Sequence, residues 1–96
     1  MDTQRLLEAG SRGMHLLFDR ETIQCAFEQT AEQLRAVVDR QLDAIQMAVQ
    51  HLLQLPDAEK GRDFIAGLPR EHQYVIVLLY FELLDGRMRQ GPMTLH

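Results

Sequence analysis

Four histidines, one cysteine and a row of carboxylates are the side chains of this 96-residue chain whose types suit chemistry. The histidines are His15, His51, His72 and His96. No two stand four apart, the spacing that sets two imidazoles on one helix face for a metal, and no His–carboxylate pair forms an established metal signature. His72 beside Glu71, at a predicted helix start, is the one suggestive pair, and a histidine there is expected at the surface. Cys25 is the single cysteine, so neither an intramolecular disulfide nor a cysteine-based metal site can form, which fits a reducing, cytoplasmic compartment. Its helical neighbours Glu21, Glu28 and Gln29 supply no cation to stabilise a thiolate, so an inert thiol is expected.

The acids Glu28, Glu32, Asp39 and Asp43 make two like-charge pairs at i, i+4, mildly unfavourable on a helix. The Glu-x-x-His pairs with which facing helices hold iron or manganese do not occur. These acids read instead as a solvated face within reach of Arg35 and Arg40. The stretch "GSRG" at 10–13 could hold an anion through backbone N–H groups and Arg12, but it matches no phosphate-loop pattern and reads as an interhelical turn. The row Gln46, Gln50, Gln54 is either plain surface or a contact face, since an amide is cheaper to desolvate than a charge. No catalytic, cofactor-binding or metal-binding residue is expected.

The elements that would have to position these groups are helical. With 46% hydrophobic and 25% charged residues the composition is that of a globular chain, expected to form one domain over 1–96. The first helix runs from Thr3 to about Ala9, with Gly10 closing it, and "MHLLF" after the turn can add a further helical turn. A long central helix, about 20–55, starts at the cap Asp19 and meets no Gly or Pro before Pro56. Its apolar stripe through Ile23, Phe27, Ala31, Leu34, Val38, Leu42, Ile45, Val49 and Leu52 recurs with the period of a straight α-helix. A second row, Ala26, Thr30, Val37, Ala44, Ala48 and Leu55, widens the face until it needs two neighbours. Cys25, Gln29, Ala36, Met47, Gln50 and Gln54 fall on the far side, so Cys25 and Met47 are expected to be exposed. Asp57 caps a short helix anchored by Phe64 and Ile65 and stopped at Gly67. The last helix spans 69–85, from Pro69 at a favoured first position to a left-handed cap at Gly86. The tail "RMRQGPMTLH" reads as loop or a frayed extension. The fold class is therefore all-α: a small helical bundle with one long central helix, a short N-terminal helix and two C-terminal helices.

The last helix raises the sharpest question. From Tyr74 to Leu84 every residue but Glu82 is apolar. On a helical wheel only a narrow edge, Glu71, Glu82 and Asp85, is polar, with Leu78 among them. Such a helix is buried or spans a membrane. At 1.5 Å per residue the run is roughly 16 Å long, about half the hydrocarbon thickness, so a span is not expected. Burial on three sides exceeds what one long and two short helices supply, and dimerisation is expected to complete the bundle. The competing expectation is that Met14–Phe18 and the tail fold back over the helix within one chain. Leu79→Asp or Phe81→Asp should then abolish folding or assembly, whereas Gln50→Glu should be nearly silent.

"LPREHQYVIVLLYFELLDG" is also similar to the opening of region 4 in bacterial sigma factors, through Leu68, Pro69, Arg70 and Glu71 and through Tyr80, Phe81 and Glu82. The likeness covers about a fifth of the chain. In that family a turn and a recognition helix follow; here "RMRQGPMTLH", with Gly91-Pro92, departs from the pattern and leaves the recognition helix without a counterpart.

Function follows from surface rather than chemistry. The expectation is a protein–protein interaction module, a dimeric adaptor, regulator or structural subunit, whose partner is a second copy or another protein. The interface is expected to use Leu34, Val38, Ile45, Val49, Ile76, Leu79, Tyr80, Phe81 and Leu83. Net charge is −4 and no basic patch emerges, so nucleic acid is not the expected partner. A DNA-binding regulator, the first alternative, would need Arg5, Arg12, Arg87 and Arg89 to converge on one face. A helical-bundle enzyme or ligand carrier, the second, would need a pocket holding His72 or Glu82. "MDTQRLLEAG" lacks the basic start and apolar run of a secretory signal.

Overall fold

Four helices begin on a side-chain oxygen that accepts a backbone N–H, the simplest way to satisfy a helix's orphan donors. Asp2 accepts from Arg5 at α1 (Thr3–Ser11), and Asp19 from Thr22 at α2 (Arg20–Glu28). Thr30 accepts from Gln33 at α3 (Ala31–Leu53), and Asp57 from Lys60 at α4 (Ala58–Ala66). The last helix, α5 (Arg70–Arg89), follows Pro69, whose carbonyl accepts from Gln73 N–H. The structure, a computed structural model, describes residues 1–89. Among them every regular element is helical.

The expected single helix over 20–55 is two helices. Gln29 and Thr30 are extended, with ψ of 145° and 153°, and turn the chain between α2 and α3. A reciprocal capping box holds the restart: Gln33 N–H donates to Thr30 Oγ1 and Thr30 N–H to Gln33 Oε1, each at 3.0 Å. A second break lies inside α3, where Gln41 has φ −131° and ψ 29°. The apolar period runs unbroken across both sites, which is why periodicity alone suggests one rod.

Two glycines also act differently from expectation. Gly10 does not stop α1; it lies buried inside it. A Cβ there would stand 2.2 Å from the Tyr80 hydroxyl oxygen and 3.3 Å from Leu84 Cδ1, so α1 reaches α5 only because residue 10 has no side chain. Gly86 is not a left-handed cap, since α5 continues through it to Arg89. A helix-interior glycine costs only about 1 kcal/mol, too little to end a helix whose flanks remain helical. Among the described residues Gly13 alone has positive φ, at 87°, in the turn after α1. Gly67 does end α4, as expected, with a right-handed backbone. The remainder of the tail, residues 90–96, lies outside the described residues.

α5 packs against α1, α2 and α3, and α4 packs on α3. Val77 is wholly covered, and Val75, Ile76, Tyr80 and Leu84 are buried with it. Each such side chain contributes about 1.5–3 kcal/mol on leaving water. Much of the cover comes from within the chain. Ala26, at 0% exposure, lets α2 lie close on α5, and the turn before α2 folds Leu17 and Phe18 into the same core. Phe18 meets the Tyr80 ring edge-on at 5.4 Å. "MHLLF" is thus a non-helical cover for the core, not an added helical turn. A second cluster of Val37, Ile45 and Val75 joins α3 to α5. Among the described residues, no helix is long and apolar enough to cross a membrane.

Candidate functional site

The polar groups singled out in the sequence are mostly structural. His72 is buried rather than at the surface, and its Nε2 lies in hydrogen-bond contact with Gln41 Oε1 at the break in α3. His15 is half-buried; its Nδ1 is 2.8 Å from the Tyr80 hydroxyl and its ring packs on Phe81. Burial pushes the Tyr80 phenol above its usual range, which keeps its O–H on and available to donate to Nδ1. His51 is exposed and stacks obliquely on Phe64 at 4.6 Å. His96 lies outside the described residues. Cys25 is half-buried, less open than expected, while Met47 is 69% exposed.

The carboxylates Glu28, Glu32, Asp39 and Asp43 are solvent-exposed, as are Gln46, Gln50 and Gln54. Among the described residues no ion pair joins these acids to Arg35 or Arg40. No group of three or more His, Cys, Asp or Glu side chains there could hold a metal ion. In "GSRG" the N–H of Gly13 donates to Gly10 carbonyl and that of Met14 to Ala9 carbonyl, both at 2.9 Å, so these donors close the helix end and do not face an anion. Arg12 reaches back to Glu8 at 2.9 Å and Arg5 sits 3.9 Å from Asp2. Arg87 donates to Gln4. Two of the four arginines that a DNA face would need are thus held beside acids on α1.

What the fold leaves unsatisfied is an apolar face. Two grooves meet along α5 at Leu79 and Glu82. One, of about 350 Å³, lies between Ala31, Leu34, Arg35 and Val38 of α3 and Val75, Leu78, Leu79 and Glu82 of α5. Both rows follow i, i+3, i+4, i+7, the contact rows of two helices awaiting a third. The other, of about 340 Å³, is bounded by Val49, Leu52 and Leu53 of α3, by Leu79 and Leu83 of α5 and by Leu6 and Leu7 of α1. Its lining is almost wholly carbon, with polar groups from Thr3, Tyr80, Glu82 and the Met1 amino group, which donates to the Leu53 carbonyl. On its rim Leu53 is 47%, Leu79 43% and Leu83 60% exposed.

The residues expected to form an interface separate into three groups. Leu34, Val38, Val49, Leu79 and Leu83 line the two grooves. Ile45, Ile76 and Tyr80 are buried by the chain's own helices, Ile76 and Tyr80 as part of the second groove's lining. Phe81 is half-buried on another side of α5, between His15 and an exposed Phe27. The wheel puts apolar residues nearly all round α5; the chain's own helices cover Val77 and its neighbours and leave Leu79 and Leu83 open. The wet edge was legible: Glu71, Glu82 and Asp85 are all exposed. The His72–Gln41 contact was missed, and no local pattern joins residues 31 positions apart.

Comparison with protein-family models, with curated proteins and with solved structures gives no match.

Proposed function

We propose that this chain is a helical protein–protein interaction module that docks a partner on the face between α3 and α5. The observation that carries the reading is the placement of Leu53, Leu79 and Leu83, each more than two-fifths exposed, along grooves whose floors are apolar. Single exposed leucines are ordinary on a protein surface, but several along one groove expose connected apolar area that a partner would remove from water. The module serves as an adaptor, regulator or structural subunit, and its chemistry is burial: aliphatic side chains at the centre, with Arg35 and Glu82 at the rim of one groove.

The test pairs Leu79→Asp with Leu83→Asp. Both side chains reach solvent, so the variants should melt as the wild type does while losing any association seen by sedimentation. A large loss of melting temperature in dilute solution would mean the two leucines belong to the core and that the face is not a docking surface.

A further inference from the structure

We infer that the partner on this face is a second copy of the same chain, related by a twofold axis that lays α5 of each copy over the other's α3–α5 groove. This rests on the reading of the face as a docking surface and adds its occupant. Charge placement points to this occupant. The 350 Å³ groove has one basic and one acidic side chain, Arg35 on the α3 row and Glu82 on the α5 row. Both are exposed, and neither takes part in an ion pair among the described residues. A surface that meets itself across a twofold must be complementary to itself, because every contact of one residue with another recurs with the two copies exchanged. One charge of each sign on opposite walls meets that condition, because the rotation brings Glu82 of each copy toward Arg35 of the other and forms two ion pairs at once. A wholly acidic or wholly basic rim would repel its own copy.

The apolar part has the same property. Leu79 belongs to both grooves, and Leu83, the most exposed leucine of α5, projects beside them. Each copy therefore offers knobs and hollows together, and α3 and α5 of two copies make a four-helix layer. The Glu82 carboxylates, which an α5-on-α5 pairing draws together, are each offset by the opposite Arg35.

A charge swap tests this. Wild type, Arg35→Glu, Glu82→Arg and the double swap are compared by sedimentation velocity from micromolar to submillimolar concentration. The wild type should be a dimer. Each single swap should weaken it by about tenfold or more, because a like-charge pair replaces an opposite one. The double swap should restore dimerisation. A wild type that stays monomeric overturns the proposal. If it binds a different protein that Leu83→Asp loses, the docking surface stands with another occupant. A wild-type dimer indifferent to both single swaps overturns this pairing, and one indifferent also to Leu79→Asp and Leu83→Asp overturns the docking surface itself.

Discussion

The imidazole of His72, in the first turn of α5, hydrogen-bonds the side-chain oxygen of Gln41 where α3 departs from helical geometry. Because that amide oxygen only accepts, Nε2 carries the proton and donates. The contact places a polar pair beside the Val37–Ile45–Val75 cluster and fixes where the two helices meet. Removing Gln41 leaves the buried His72 ring without its partner, and removing His72 leaves the half-buried Gln41 amide without its own. His72→Ala should therefore destabilise the fold by about 1–3 kcal/mol, and so should Gln41→Ala. Urea unfolding of both singles and the double variant should give a cost well below the sum, the mark of direct coupling.

Gly10→Ala reverses the usual sign of a glycine-to-alanine change in a helix. Alanine should gain about 1 kcal/mol from propensity alone. Here its Cβ would meet the Tyr80 hydroxyl and Leu84, so a net loss of about 1–3 kcal/mol is expected. Gly10→Ala combined with Tyr80→Phe, which removes the closest atom, should recover part of it in a thermal melt.

Adjacent leucines on α5 should behave oppositely. Leu84 is 5% exposed and Leu83 is 60% exposed. Leu84→Ala should cost about 2–5 kcal/mol, and Leu83→Ala should stay within about 0.5 kcal/mol, when both are unfolded at high dilution. A helix buried on every side would make the two costs similar.

The cap Asp19 sets an acid limb. Its hydrogen bonds from Thr22, foremost, hold its carboxyl below the usual carboxylate range. A carboxyl lowered in the folded state contributes stability above its unfolded pKa, and that contribution fades as pH falls through the folded one. The loss should begin below about pH 5. Asp19→Asn keeps an acceptor at the cap and should flatten this part of the stability profile. Asp19→Ala should cost about 0.5–2 kcal/mol at neutral pH.

The capping box at Thr30 separates α2 from α3, and its loss should be local. Thr30→Ala should cost about 1 kcal/mol and speed amide hydrogen exchange at Gln33. It should leave exchange at Val77 nearly unchanged.

The sequence alone settled what short-range physics controls. Helix identity followed from an apolar period near 3.6, and three starts were marked in advance by Asp19, Asp57 and Pro69. "TAEQ" at 30–33 also carried the capping-box signature, legible but outvoted by a period that runs straight through it. The face of α5 turned to water was written in Glu71, Glu82 and Asp85. Tertiary structure decided the rest. Whether Gly10 ends a helix or admits a tyrosine depends on a helix 70 residues later in the chain. Whether His72 is wet or buried depends on how α5 meets α3, and which apolar side chains of α5 stay uncovered depends on where α1, α2 and α3 pack on it. These are pairings between segments distant in sequence. No local pattern encodes them, because the energy that selects them arises only when both partners leave water together.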